Sequence, residues 1–361
     1  MKITNLEIKN FRNYNYAKIN LDDKLNVLVG NNAQGKTNLL ESIFLLALGK
    51  SPRVSKDKDL VKWNCNNAVI KLTLQKATGN TNIEIRLFKQ GKKIILINGI
   101  PIKKISELMG ILNVIYFFPD DLKLIKESPS ERRKFMDMDI CQASKNYFYL
   151  LQRYERILNQ RNKLIKQSKN IATLKETILI WDEQLAETAS KIILSRIKFI
   201  NKLAPKVANC HNFLTSSKEN LELSYIGTTG ENSTEIKEKL LNAYKTTIDK
   251  DFELGYTSIG PHRDDLKITL DGIDLRTFGS QGQQRTASLS LKLAEIETFK
   301  FETGDTPILL LDDVLSELDE TRQQKLIEIS TKLQTILTCT SFPFNQKYKK
   351  FEIKNGAITN A

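Results

Sequence analysis

Residues 30–37 read GNNAQGKT, and their types and spacing suit the binding of phosphate. In the pattern G-x-x-x-x-G-K-[S/T], small residues allow consecutive backbone N–H groups to curl around a phosphate at the start of a helix. The Lys36 ammonium is expected to reach the β and γ phosphates of a nucleotide, and the Thr37 hydroxyl to bind Mg²⁺. The predicted cofactor-binding residues are Gly30, Asn31, Asn32, Ala33, Gln34, Gly35, Lys36, Thr37 and Asn38.

The second candidate segment is acidic and reads ILLLDDVLSELD over residues 308–319. An apolar strand that ends in carboxylates is how a Walker B element brings an aspartate to Mg²⁺. Asp312 is the predicted metal ligand, and Asp313 stands where a general base or a water-positioning carboxylate would act. Such a strand is common by itself, but beside a phosphate loop it points to nucleotide hydrolysis, with Lys36 and Asp313 as the catalytic pair.

A third segment, FGSQGQQR, lies between the other two. Ser280 is a suitable N-cap, Gly282 would let a ligand approach the backbone, and a helix N-terminus attracts anions. An ordinary capped helix explains the segment equally well. The order of the three segments favours a nucleotide role for Ser280, Gln281, Gly282 and Gln283.

The surrounding pattern supplies the elements that these motifs require. Residues 1–11 and 25–29 read as strands, and residues 38–48 have the apolar period of a helix. Residues 68–102 read as short antiparallel strands with turns near Gly79 and at Asn98-Gly99. The sequence therefore predicts an α/β fold with a mixed sheet and an antiparallel β subdomain.

A mainly helical lobe is predicted to interrupt this fold. Ser128, Pro129 and Glu131 have the spacing of a capping box at the start of a long helix. Helical spacing continues to about residue 164, breaks, and resumes toward Pro205, whereas strands return after Gly255. The predicted domains are residues 1–119 and 251–361 for the two parts of an ATPase head and residues 120–250 for an inserted antiparallel arm.

Composition limits the functional classes. No segment has the roughly 18–20 apolar residues that span a bilayer, and the N-terminus lacks a signal peptide, so we expect a cytoplasmic protein. The four cysteines lack the spacing of a zinc site or a disulfide framework. The net charge of +13 suits a polyanion partner, although a lysine-rich solvated surface would give the same value.

The three motifs in this order are similar to those of ABC-type ATPases. More narrowly, the chain resembles the RecF family of bacterial recombination mediators over nearly its full length. The segments that carry the resemblance are NFRNY (10–14), GNNAQGKTNLLE (30–41), SPRVSKDKDLV (51–61), FFPDDLKLIKESPSERRKFMD (117–137), SIGPHRDDL (258–266), FGSQGQQR and LLLDDVLSELD. The middle of the arm, residues 165–250, has no matching motif.

The resemblance implies a specific set of properties. These are ATP binding, with Arg12 and Asn13 of the first segment among the cofactor contacts, an SMC-like ATPase head, and an ATP-dependent homodimer in which Ser280–Gln283 act in trans. It also implies binding of double-stranded DNA and single-strand/double-strand junctions, cooperation with RecR and RecO, and roles in DNA replication, repair, recombination and the SOS response. The candidate DNA contacts are Arg53, which could instead meet phosphate or solvent, and three arginines of a basic run between residues 153 and 175: Arg153, Arg156 and Arg161. This run could instead be a solvated helix face.

Two departures from the ABC pattern predict weak, DNA-stimulated hydrolysis that acts as a switch. Asp313 replaces the usual glutamate, and Cys339, Thr340 and Ser341 stand where an ABC transporter has its switch histidine. An SMC-like or transporter-type ATPase with another partner is the alternative. A metabolic P-loop kinase would lack the SQGQ segment.

Overall fold

The computed structural model describes residues 1–216 and 219–360, which form two compact units. The first unit comprises Met1–Asp121 and Lys292–Ala361, and the second comprises Leu122–Leu291. The helices are α1 Lys36–Leu48, α2 Lys123–Lys126, α3 Pro129–Ala143, α4 Lys145–Gln167, α5 Ile171–Thr177, α6 Leu179–Thr215, α7 Ser233–Leu254, α8 Leu275–Phe278, α9 Gln281–Thr303 and α10 Glu320–Ser330. No helix of the described residues is long and apolar enough to cross a membrane.

The strands form three sheets. They are β1 Lys2–Phe11, β2 Tyr14–Asn20, β3 Leu25–Val29, β4 Asn67–Lys76, β5 Gly79–Phe88, β6 Ile94–Ile97, β7 Ile100–Pro101, β8 Val114–Phe117, β9 Leu221–Ile226, β10 Asp265–Leu270, β11 Ile273–Asp274, β12 Ile308–Asp312, β13 Thr335–Cys339, β14 Lys349–Lys354 and β15 Ala357–Asn360. The α/β class, the mixed sheet and the antiparallel subdomain agree with the prediction.

A mixed sheet positions the chemistry of the first unit. Its strand order is β15-β14-β3-β13-β12-β8, with β3, β8, β12, β13 and β14 parallel and β15 antiparallel at the edge. Since parallel strands end at the same edge, the segments after β3, β12 and β13 meet there. These segments are the phosphate loop, Asp313 and the residues that follow Cys339.

The second sheet of the first unit is antiparallel, with the order β2-β1-β4-β5-β6-β7. Helix α1 contacts strands of both sheets, and its residues from Leu39 to Leu48 are buried. An apolar surface on all sides is typical of a helix that is buried all round. The hairpin between β6 and β7 turns at Asn98 and Gly99, both with positive φ, as the Asn-Gly pair predicts.

The second unit is mainly helical, and it extends further along the chain than the sequence predicted. Residues 251–291, which we assigned to the ATPase head, belong to this unit. The physical reason is strand pairing, because β10 pairs antiparallel with both β9 and β11 in a separate three-stranded sheet. Helix α6 also continues through Pro205 to Thr215.

Helix α3 begins at Pro129 as predicted, but without the predicted capping box. The Ser128 Oγ atom contacts Ser130 Oγ at 2.6 Å and makes no side-chain cap hydrogen bond. A backbone bond from the Glu131 N–H to the Ser128 carbonyl, 3.1 Å long, closes the first turn. Proline at the first helical position is therefore the signal that holds for this helix start.

Candidate functional site

The phosphate loop borders a cavity of about 310 Å³ at the carboxyl edge of the mixed sheet. The loop residues Asn31–Asn38 line it together with Arg53, Asp312 and Asp313. Gly35 is the N-cap of α1, and the Leu39 N–H makes a 3.2 Å bond to its carbonyl. The amides of residues 36–38 precede that first helical bond, so they are available to an anion.

Thr37 and Asp312 come together although 275 positions separate them. The Thr37 hydroxyl donates to Asp312 Oδ1 at 2.9 Å. The Lys36 ammonium lies inside the loop and donates to the carbonyls of Gly30 and Asn31. One hydroxyl and one carboxylate suit Mg²⁺, which binds few protein ligands and completes its shell with phosphate and water. The described residues contain no cluster of three or more His, Cys, Asp or Glu side chains that could hold a metal alone.

Three hydroxyl groups hold the Asp312 carboxylate in place. Besides Thr37, Thr338 donates to Oδ1 at 2.8 Å, and the Tyr116 hydroxyl donates to Oδ2 at 3.2 Å. Burial raises the pKa of Asp312, whereas these hydrogen bonds oppose the rise. Burial and the Asp312 charge raise the pKa of Tyr116 well above its usual value, so its hydroxyl remains a donor.

Asp313 lies at the cavity in a left-handed backbone conformation, with φ of 53°. Its N–H donates to Thr338 Oγ1 at 3.0 Å, so one threonine fixes both aspartates. The neighbouring Cys339 is buried, and burial raises its pKa to about 12, so the thiol stays protonated near neutral pH. Both histidines of the chain, His211 and His262, belong to the second unit.

Arg12 and Asn13, which the resemblance assigned to the cofactor, lie outside the cavity lining, where Arg12 supports α1 and Asn13 supports the loop. The Arg12 guanidinium makes a bidentate pair with the fully buried Glu41, at 2.9 and 2.7 Å. The Asn13 amide donates to the Gln34 carbonyl at 2.9 Å and accepts from Asn38 at 2.9 Å. A Cβ on Gly35, whose φ is +116°, would lie 2.6 Å from the Asn13 amide nitrogen.

Arg53 belongs to the cavity wall. Its guanidinium donates to Asn38 Oδ1 at 3.1 Å and lies 3.6 Å from the Glu41 carboxylate. The side chain remains half exposed, so one side of its fork faces the cavity. Of the three readings that the sequence left open for Arg53, this geometry favours phosphate.

The hairpin of β14 and β15 also holds the loop. Its turn residues Asn355 and Gly356 donate their N–H groups to the Gln34 side-chain oxygen at 2.7 Å and carbonyl at 3.0 Å. Nothing in the sequence linked this hairpin to the loop. Tyr116 and Thr338 were also missed, although a polar residue inside an apolar strand is a signal for a buried partner.

The SQGQ segment opens α9 in the second unit. Ser280 Oγ accepts from the Gln283 N–H at 3.3 Å, and Gln283 Oε1 accepts from the Ser280 N–H at 2.9 Å. These reciprocal bonds form a capping box. Gln283 Nε2 also donates to Glu219 at 2.8 Å, while Ser280, Gln281 and Gly282 are exposed. The Gln283 side chain is thus engaged by a partner in the same unit, whereas residues 280–282 are exposed to solvent.

The candidate DNA contacts on α4 divide into two kinds. Arg153 and Arg156 are exposed. Arg161 is fully buried and binds Asp182 and Asp251 at 2.7 and 2.8 Å. The prediction of Arg161 as a DNA contact is therefore wrong, because its charge is neutralised inside the second unit.

Comparisons with known proteins agree with this geometry. The family model of the RecF/RecN/SMC N terminal domain matches residues 2–352. A Clostridium acetobutylicum protein described as DNA replication and repair protein RecF is 48% identical over 363 residues, and the alignment covers 99% of both chains. A protein of the same description from Clostridium novyi is 44% identical over the same coverage.

Solved structures give the same result. The recombination mediator protein RecF, in a structure titled as its ATP form, has a TM-score of 0.92 at 36% identity, covering 99% of this chain and 97% of that one. The Smc head domain from Pyrococcus furiosus has a TM-score of 0.58 at 19% identity, covering 99% and 95%, which shows the fold alone. The fold is that of an ABC-type ATPase head with an added helical unit. The chain belongs to the RecF family.

Proposed function

We propose that this protein binds ATP and DNA in recombinational repair and in the processing of replication gaps. Its relatives are described as DNA replication and repair proteins, and the similar solved structures are of a recombination mediator with ATP or an ATP analogue. The observation that carries the ATP part is the 2.9 Å contact between Thr37 and Asp312 beside the phosphate loop.

In this proposal, residues 30–38 surround the phosphates, and Lys36 and Arg53 supply positive charge. Thr37 and Asp312 would hold Mg²⁺, which would supply positive charge against the charge that develops on the phosphates. Asp313 accepts a proton from the attacking water, because it is the carboxylate at the cavity that is held in place through its backbone. With aspartate as base and no histidine in the first unit, we expect turnover of about 1 s⁻¹ or less, which suits a DNA-stimulated switch.

The proposed active form is a homodimer that ATP assembles. Residues 280–282 expose the N-terminal backbone of a 23-residue helix, which is a favourable place for a phosphate. Residues 280–283 of one protomer would close the nucleotide site of the other, with Gln283 orienting Ser280 through the capping box. Loss of the γ phosphate would remove this contact and loosen the dimer.

The proposed partners are double-stranded DNA, single-strand/double-strand junctions, and RecR together with RecO, in the bacterial cytoplasm. The similar solved structures are of a recombination mediator described as part of the RecFOR pathway. The net charge of +13 supports a polyanion partner.

Substitution of Lys36 tests the nucleotide site. Lys36→Met should abolish tight ATP binding in an equilibrium fluorescence assay, because it removes the ammonium inside the loop. Lys50→Met, at an exposed position just after α1, is the matched control and should bind ATP normally. Unchanged affinity in Lys36→Met, with the fold verified by circular dichroism, would reject the assignment of the loop.

The dimer is tested by light scattering with ATP, with ADP and without nucleotide. We expect a dimer with ATP alone, and a monomer that still binds ATP in Ser280→Arg, because the added bulk blocks the opposing phosphate. Ser55→Arg, also exposed but in the first unit and away from the aspartates, is the control. An oligomeric state that ignores ATP would contradict the proposal.

A further inference from the structure

A cavity of about 500 Å³ lies in the first unit, beside strands β5 and β6 of its antiparallel sheet. Three segments converge on it: the residues around the 3₁₀ helix Asp57–Leu60, the turn between β5 and β6, and the residues after β7. Its lining includes six exposed lysines: Lys104 and a set of five, Lys56, Lys58, Lys89, Lys92 and Lys103. We call this set of five the lysine pocket.

The charge of the lysine pocket is not neutralised by the protein. Asp57 also lines the cavity, but its carboxylate pairs with Lys93 at 2.8 Å, and Lys93 further donates to the Gly49 carbonyl at 2.6 Å. Within residues 1–216 and 219–360, none of the five ammonium groups has a hydrogen bond or an ion pair. Five like charges around one cavity repel each other, so they favour an anion that can contact several of them at once.

An exposed tryptophan lies next to the lysine pocket. Trp63 is 86% exposed, which is unusual for so large an apolar side chain. It occupies a turn closed by the Cys65 N–H and the Lys62 carbonyl at 3.1 Å, in which Asn64 has a φ of 62°. The Lys89 N–H donates to the Asn66 carbonyl at 3.0 Å, so the chain contacts a residue of the pocket lining three positions after Trp63.

We infer that the lysine pocket and Trp63 form the DNA-docking surface of the first unit, where lysines contact backbone phosphates and the Trp63 indole stacks on an unpaired base. This inference rests on the proposed DNA-binding function and names its surface. An indole has the flat face on which any base stacks, whatever the sequence. The combination suits DNA that has both a duplex part and a single-stranded end.

An acidic peptide is the rival ligand for five lysines. The position of Trp63 favours nucleic acid, because the indole is not part of the cavity lining and is 86% exposed, so its face is open to a base. The side-chain type points the same way. Carboxylates of a peptide are best bound by the bidentate fork of arginine, whereas the point charges of flexible lysines can each contact one phosphate of a strand.

The salt dependence of binding gives the first test. If all five lysines neutralise phosphates, log affinity falls with log salt at a slope of about −4 to −5. The full-length variant with Lys89→Glu, Lys92→Glu and Lys103→Glu should lose about 2.7 of that slope and bind DNA more weakly in the presence of ATP. The matched control carries Lys18→Glu, Lys300→Glu and Lys347→Glu, which are exposed lysines of the same unit with the same change of net charge.

The stacking part has its own test. Trp63→Ala should weaken binding of a duplex with a single-stranded tail by about 5- to 150-fold and leave a blunt duplex unchanged, whereas Trp63→Phe should keep most of the affinity. All variants should bind ATP normally. Equal effects of Trp63→Ala on both duplexes would overturn the stacking role.

Other outcomes separate this inference from the proposed function. If wild-type protein with ATP binds no DNA, the proposed function fails. If wild-type protein binds DNA and the two triple variants weaken binding equally, the surface lies elsewhere and only this inference fails. The triple variant at Lys89, Lys92 and Lys103 could also lose binding of a labelled poly-glutamate peptide while it still binds DNA. That result would assign the lysine pocket to an acidic peptide and overturn the DNA-docking inference.

Discussion

Thr338 gives the sharpest test of how the two aspartates are held. The residue is fully buried on β13, where its hydroxyl donates to Asp312 Oδ1 at 2.8 Å and accepts the Asp313 N–H at 3.0 Å. Valine has nearly the same shape but lacks the hydroxyl. Thr338→Val therefore removes both hydrogen bonds without creating a cavity.

The expected loss of stability follows from these two bonds. A hydrogen bond to a charged group contributes about 1.5–3 kcal/mol, and a buried N–H without a partner costs about 1–3 kcal/mol. Because neighbouring effects are not additive, we expect a total near 3 kcal/mol. That corresponds to a fall of roughly 6–12 °C in the melting temperature of a unit of this size.

The pH dependence separates the two bonds. The folded pKa of Asp312 is raised by burial, so its charged form lowers stability, and the cost develops as pH rises through that pKa. Loss of the Thr338 donor raises this pKa further. The difference in melting temperature between wild type and variant should thus be largest near neutral pH and should shrink as the carboxyl becomes protonated.

Magnesium titrations of nucleotide binding between pH 5 and pH 8 complete the assay. Since Mg²⁺ requires the carboxylate form, its apparent affinity in Thr338→Val should fall about tenfold, most strongly at the acidic end. Thr335→Val is the control, because Thr335 is buried on the same strand and donates to the Ser330 carbonyl at 2.9 Å. A magnesium profile equal to that of the control would refute the reasoning.

Three further predictions concern other parts of the chain. Arg161→Met should destabilise the second unit by about 3–5 kcal/mol in thermal unfolding, because it leaves two buried carboxylates unpaired, whereas the exposed Arg156→Met should change little. Burial raises the pKa of Asp264 to about 6 from 3.8, so its charge lowers stability as pH rises between these values. Asp264→Asn removes this effect, and the melting temperature of the variant should rise more steeply with pH over that range than that of wild type. Gly356→Ala puts a Cβ at a φ of +70° and 2.6 Å from a backbone oxygen next to the phosphate loop, so ATP affinity should fall, while Gly99→Ala, with a φ of +81° and open space, should leave it unchanged.

The features that the sequence predicted well are local. The loop sequence, the helix predicted over residues 38–48 and the Asn98-Gly99 turn each depend on a few adjacent residues. The structure has all three, although α1 begins two residues earlier than predicted, at Lys36. The apolar run of β12 that ends at Asp312 is also local. Because the phosphate loop and the strand each specify their own geometry, their pairing needed only the shared edge of a parallel sheet.

Arg161 shows why other features were missed. A basic run was interpreted as a surface, but Tyr154, Ile157, Arg161 and Ile165 follow one another at helical spacing and are all buried. The arginine therefore lies on the apolar face of α4, and its partners Asp182 and Asp251 come from distant helices. Net charge along a segment carries no information about the face on which each charge lies.

The extent of the second unit was missed for a related reason. Strands β9 and β10 pair although α7 lies between them in the sequence. The residues of a strand do not specify which other strand it will pair with. The hydrogen bonds from Asn355 and Gly356 to Gln34 also join residues that are far apart in the sequence. Such contacts depend on the assembled sheet.

The position of β3 in the mixed sheet has a consequence for the order of folding. This strand leads into the phosphate loop, yet both of its neighbours, β13 and β14, lie about 300 residues further along the chain. During translation β3 and the loop leave the ribosome early. However, β3 cannot pair with either neighbour until β13 and β14 have been made, about 300 residues later. At about 5–20 residues per second, the N-terminal segment must wait roughly 15–60 seconds. A nascent chain thus carries every motif for ATP before it has a site, and the protein becomes able to bind nucleotide only after β13 and β14 have been made.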